Sequence, residues 1–249
     1  MINDWHFYAL AIPAVALIGL AKGGFTGMGA LSLPMLAFVI SPVTAAAILL
    51  PLLIVQDVVG VWAFRRTVDW PLLGWTLPGA AAGVALGYWF AASVTSGGVM
   101  AAVGLISILF GAYRLRLQRR PVPKEAARLP EWAGLAFGAA SGFTSQIAHA
   151  GQPPFQLWVL PRNLPRDMLV GTTALFFAAV NWIKVPAYLA LGQFTQANLL
   201  TAAAMLPVAV ASTFLGVALV RRVDANRFYT AIYWLMIVVG CGLIAEAAF

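Results

Sequence analysis

Apolar residues along this chain fall in long runs, without the strict alternation of a half-buried strand or the narrow stripe of a surface helix. Broken at its Gly, Pro and charged clusters, the sequence gives apolar segments near 5–21, 30–40, 43–64, 70–93, 98–114, 132–143, 154–161, 166–191, 196–220 and 227–248. A bilayer core of about 30 Å needs about 20 helical residues. Six segments qualify as membrane-crossing helices: 43–64, 70–93, 98–117 (98–114 without its charged end), 166–191, 196–220 and 227–248. Those at 30–40, 132–143 and 154–161 would measure only about 12 to 18 Å at 1.5 Å per residue, which reaches the bilayer midplane. With 5–21 they predict two helical hairpins, 5–40 and 132–161, that enter the membrane and turn back.

Composition fixes the solvent. Of 249 residues 62% are apolar, 9% are charged, and mean hydropathy is +0.89. A soluble domain carries roughly 25% charged residues, so a water-soluble globule is excluded and an all-α integral membrane protein is predicted. The first apolar run follows Asp4 with no basic stretch before it and no small-residue cleavage motif after it, so the N-terminus is expected to belong to the fold. No segment is long and polar enough for a second, soluble domain.

The two hairpin turns have related sequences. Gly24-Phe25-Thr26-Gly27 precedes a short arm containing Pro34, and Gly142-Phe143-Thr144-Ser145 precedes one containing Pro154. A proline near the start of a long helix follows each arm (Pro42, Pro165), and two more spans follow that. The expected organisation is therefore a first repeat at 1–117, a basic linker at 118–131 and a second repeat at 132–249, each a re-entrant hairpin plus three transmembrane helices. Three crossings per copy is an odd number, so the second copy must be inverted.

Charge tests this independently. With two-way hairpins, the loops at 65–69, 114–131, 162–167 and 221–227 share one side and hold thirteen of the fifteen Lys and Arg residues. Counting each hairpin as a single crossing would split them eight to five. The positive-inside rule favours the first arrangement, in the cell inner membrane with basic loops cytoplasmic and both termini outside. The formal charge of +7 is thus a topology signal, and no nucleic-acid partner is expected. Trp5, Trp70, Trp132 and Trp158 near segment ends suit interfacial anchors.

Removing loop charges leaves Lys22, Lys184 and Asp57 inside the membrane. A charge at the bilayer centre costs about 2.5–3.5 kcal/mol on the insertion scale, so each needs a partner or a cavity. Lys22 enters the first turn beside Gly24, Thr26 and Gly27, and a glycine-dense turn before a helix start offers backbone N–H groups to an anion. The second turn carries Thr144, Ser145, Gln146, His149 and Gln152, rich in hydrogen-bond donors and without an acid. Asn181 and Lys184, three residues apart, share a helix face and could close the same anion seat. Asp57 reads either as a counter-ion or as a proton site, and His149 as a proton carrier, since imidazole changes charge near neutral pH. Lys22→Ala is expected to weaken anion affinity and to leave folding nearly intact. There is no phosphate loop, no metal-ligand pair at i, i+4 and no G-x-S-x-G, so no enzyme activity, metal or cofactor is expected; the lone Cys241 cannot form an internal disulfide.

The stretches K-G-G-F-T-G-M-G-A-L-S-L-P (22–34), A-A-A-I-L-L-P-L-L-I-V-Q-D (45–57), R-R-T-V-D-W (65–70), G-F-T-S-Q-I-A-H-A-G-Q-P-P (142–154) and G-T-T-A-L-F-F-A-A-V-N-W-I-K (171–184) resemble the TauE/SafE sulfite and organosulfonate exporter family over almost the whole chain. Lys22-Gly23-Gly24 stands where many members have a plain glycine run, and Gln152 where a glycine is common. The resemblance implies transport of small sulfur oxyanions or organic sulfonates across a bacterial membrane. The leading expectation is a secondary transporter exporting sulfite or a short sulfonate by alternating access, with the anion held at the midplane between the hairpin tips. An anion channel and a non-transporting scaffold subunit are the alternatives. A divalent anion leaves a negative cell interior downhill, and one intramembrane acid makes a poor sodium site, so sodium-independent uniport or proton-linked exchange is expected.

Overall fold

The computed structural model describes residues 2, 4–23, 28–118, 129–219 and 226–248. Over these residues the chain is helical, with ten α-helices and no strand. They are α1 (Trp5–Lys22), α2 (Ser32–Leu36), α3 (Pro42–Phe64), α4 (Trp70–Ser93), α5 (Ser96–Gln118), α6 (Ala133–Ala148), α7 (Gln152–Val159), α8 (Arg166–Ala190), α9 (Gln196–Leu219) and α10 (Asn226–Ala247). Local chemistry starts several of them. Ser41 Oγ accepts from the Thr44 N–H with Pro42 at the first helical position, and the Asp69 carboxylate accepts from the Leu72 N–H to open α4. Each cap satisfies backbone donors that a helix start leaves orphaned.

Among the described residues six helices are long and apolar enough to cross a membrane: α1, α3, α5, α8, α9 and α10. This differs from the segment reading at two points. The 18 residues of α1 make a rod of about 27 Å, far more than a midplane arm. It runs beside α9 from Ile2, whose N–H donates to Thr201 Oγ1, to Leu20 and Gly23, which sit against Gly216. Conversely α4, at 24 residues, is outside the six, because its Gly, Trp and Pro residues dilute its apolar character.

The packed pairs follow a pattern. α4 lies along α6 and α1 along α9, α3 packs on both α8 and α9, α4 also touches α8, α5 pairs with α10, and the two short hairpins α1–α2 and α6–α7 each close on themselves. Exchanging the first five helices for the second five maps these pairs onto one another. Small residues make the close seams, as expected where lipid offers no hydrophobic drive between helices. A Cβ on Gly79, Gly83, Gly138 or Gly142 would stand 2.0–2.2 Å from a backbone oxygen of the facing helix, and Gly104 and Gly240 meet reciprocally across α5 and α10.

That seam relocates the second turn. Gly142-Phe143-Thr144-Ser145 is not a turn but part of α6, which continues to Ala148. Gly142 is glycine because the Ala80 carbonyl of α4 occupies the place of its side chain, and the Thr144 hydroxyl donates back to Ala140 O within its own helix. The chain reverses instead at His149, whose φ of 50° places it in the left-handed region, and Ser141 Oγ donates to Gly151 O to close the reversal. Likewise the first short arm is a 3-10 turn at Met28–Leu31 followed by α2, ending at Leu36 rather than 40. Gly142→Ala is therefore expected to destabilise the protein by about 1–3 kcal/mol through overpacking. Gly74→Ala in α4, where nothing among the described residues lies within 4 Å, should not lower the thermal melt in detergent.

The aromatic reading also needs one correction. Trp5, Trp70 and Trp132 are about two-thirds exposed, as anchors would be, but Trp158 is 2% exposed. Its ring fills the space over Gly134 and carries the Arg162 guanidinium 3.8 Å above it.

Candidate functional site

Two polar clusters meet on α8. Asn181 and Lys184, one turn apart, are both buried, Lys184 completely. α3 packs along this face and brings Asp57, whose carboxylate is used at both oxygens. Oδ2 accepts from Asn181 Nδ2 at 2.6 Å, and Oδ1 pairs with Lys22 Nζ from the last turn of α1. Three helices from different parts of the chain thus converge on one carboxyl group. The Lys22 side chain is 23% exposed and Asp57 only 5%, so the amine is the accessible side of the pair. Lys22 Nζ also lies 6.0 Å from the centre of the Phe177 ring, one turn before Asn181 on α8.

The second cluster surrounds the α6–α7 reversal. Lys184 Nζ sits 3.2 Å from Ser145 Oγ, 3.4 Å from Ser145 O and 2.7 Å from His149 Nδ1. His149 Nε2 lies 3.0 Å from the Ala46 carbonyl of α3. A carbonyl can only accept, so Nε2 carries a proton; Nδ1 then has its lone pair facing the Lys184 amine, which donates to it. This is a neutral imidazole clamped between α3 and α8. One turn beyond Lys184, the buried Tyr188 hydroxyl donates to Gln146 O at 2.8 Å and ties α8 to the end of α6.

The expected site residues therefore divide. Lys22, Asp57 and Asn181 come together, as do Ser145, His149 and Lys184, and α8 joins the two groups. Thr144 turns back on its own helix, and the Gln146 side chain points at Gly87 of α4, its buried Oε1 without a hydrogen-bond partner. Gln152 is the first residue of α7. Gly24, Thr26 and Gly27 lie outside the described residues, as do 119–128 of the linker. Two participants escaped the sequence reading: the Ala46 carbonyl, for which no side-chain signal exists, and Tyr188, which the 181–184–188 spacing on one helix face could have indicated.

The electrostatics are asymmetric. Asp57 has Lys22 as partner, whereas the contacts of Lys184 are a hydroxyl, a carbonyl and an imidazole, with no carboxylate in salt-bridge range among the described residues. Two amines and one carboxylate share a mostly buried region.

The model of one protein family, described as sulfite exporter TauE/SafE, matches residues 11–243. The chain belongs to the TauE/SafE family. The match contains both glycine-rich stretches and all six clustered residues, and it makes this a membrane protein of a sulfite-exporter transport family. No curated protein and no solved structure matches the chain.

Proposed function

We propose that this family member is a secondary transporter of a small anion, sulfite or a short organosulfonate, and that the anion binds between the end of α1 and the α6–α7 reversal. The observation that carries the reading is Lys184, a fully buried amine without an acidic partner among the described residues, beside a second amine already neutralised by Asp57. A buried amine takes its charge at low cost only with an anion beside it, so an anion and a proton on Lys184 favour each other, whereas a scaffold subunit has no use for such a group. Ser145 and His149 orient Lys184, and Asn181 and Lys22 supply further donors. Thr144 and Gln146, which turn to their own helix and to Gly87 of α4, stand outside this seat.

In this reading the packed pairs that interchange between the two halves support two inverted repeats, 1–117 and 132–249, each opening on a helical hairpin, with the basic loops on the cytoplasmic face. Alternating access then follows from rocking one repeat against the other around α3 and α8, each of which contributes to both clusters. Lys184 is wholly enclosed, which fits an occluded state. Both termini lie outside the inner membrane.

Purified protein in liposomes is expected to move labelled sulfite with saturation and trans-stimulation, in sodium-free buffer. Flux that never saturates would assign a channel, and strict sodium dependence would overturn the coupling scheme. Under an imposed pH gradient, loss of the pH response in His149→Gln assigns the proton to the imidazole; loss in Asp57→Asn assigns it to the acid.

A further inference from the structure

Asp57 binds the donors of the proposed site in the way a substrate oxyanion would. Its two oxygens take one ammonium, Lys22 on α1, and one amide N–H, Asn181 on α8. Sulfite and sulfonates present pairs of oxygens at nearly the spacing of a carboxylate, so the same two donors suit either. The carboxylate belongs to a third element, α3, and reaches the donors from a side chain that is itself buried. The neighbouring Gln56 faces away, donating to Ala209 O on α9, and therefore does not share the load. Lys184 lies one turn from Asn181 on the same helix face, so an anion drawn to Lys184 arrives next to the pair. Lys22 is the partly exposed member, and an incoming anion meets the amine before it meets Asp57.

From this geometry we infer that Asp57 is a tethered competitor: it occupies the Lys22–Asn181 half of the anion seat when no substrate is bound, and substrate must displace it. The inference rests on the anion-transport reading above and adds a role to it. A side-chain anion held next to its donors acts at high effective concentration, so it lowers substrate affinity and returns to the donors as substrate leaves. Removing its charge should therefore tighten binding, opposite to the loss expected for a residue that merely shapes the site.

The test is titration of detergent-purified protein with sulfite and with ethanesulfonate by calorimetry, on wild type, Asp57→Asn, Asp57→Glu and the double variant Lys22→Met/Asp57→Asn. Size-exclusion profile and thermal melt establish folding, and Asp57→Ser takes the place of Asp57→Asn if the amide is not tolerated. Asp57→Asn is expected to bind about tenfold more tightly than wild type, and the double variant to lose that gain. Asp57→Glu keeps the competing charge and should stay within about threefold of wild type. Wild-type binding with equal or weaker affinity in Asp57→Asn overturns the competitor and leaves the transport reading standing. Absence of binding in wild type and Asp57→Asn alike overturns both.

Discussion

Lys184→Gln is expected to lower affinity for sulfite at least a hundredfold, about 2.7 kcal/mol at the tenfold-per-1.4 kcal/mol conversion. Glutamine keeps a hydrogen-bond donor for Ser145 and His149 and removes only the charge. The thermal melt should accordingly stay near that of wild type, because a neutral side chain at a wholly buried position carries no ion desolvation cost. Affinity is measured by sulfite titration, and transport by labelled flux into liposomes at matched protein density. Wild-type flux in well-folded Lys184→Gln would remove this amine from the anion seat. A collapse of the melt with no folded protein to titrate would instead assign Lys184 to holding α6 against α8.

The second large effect concerns Lys22, and here the structure reverses an expectation. An isolated intramembrane lysine would be better tolerated as alanine, but Lys22 is the cation that neutralises Asp57, which is 4% exposed. Lys22→Ala leaves that carboxylate buried with, among the described residues, Asn181 as its one donor. Breaking a buried ion pair from one side typically costs about 3–5 kcal/mol, so a marked loss of stability is expected. Adding Asp57→Asn removes the stranded charge, and the Lys22→Ala/Asp57→Asn double variant should recover most of the loss. The check is a double-mutant cycle of melting midpoints and folded yield. Additive single effects would mean that the two side chains do not interact in the folded membrane protein, since coupling is what distinguishes contact from proximity.

Both expectations depend on α8 presenting Asn181 and Lys184 on one face, which a three-residue spacing announces in the sequence. Their partners are not announced. Asp57 is 35 residues from Lys22 and 124 from Asn181, and the Ala46 carbonyl that fixes the His149 tautomer has no side-chain signature at all. Lys22, Asp57 and Lys184 stand out in the sequence because ionisable groups inside apolar segments are costly and therefore few. Charge cost says that Lys22 needs a partner without saying that Asp57 is the one.

Glycine shows the same division. A turn and a close helix seam both call for a missing Cβ, and the sequence around Gly142 suits either. Only the facing helix discriminates between them: α4 places the Ala80 carbonyl where a side chain on Gly142 would be, so α6 runs on to Ala148 and the reversal moves to His149. Trp158 is a parallel case, an aromatic near a segment end that Gly134 draws into the interior.

What the sequence by itself determined about the fold is whatever follows from transfer between water and lipid: the membrane class, the approximate extents of the long helices and the scarcity of interior charges. These depend on each residue's own solvation and need no knowledge of its neighbours. The tertiary structure alone decided that Lys22 pairs with a carboxylate while Lys184 contacts a hydroxyl, a carbonyl and an imidazole, that α1 is long enough to cross a membrane, and where α6 turns. Those outcomes depend on which atoms of distant segments come within hydrogen-bond or van der Waals range, a property of helix register and close packing that no single segment contains.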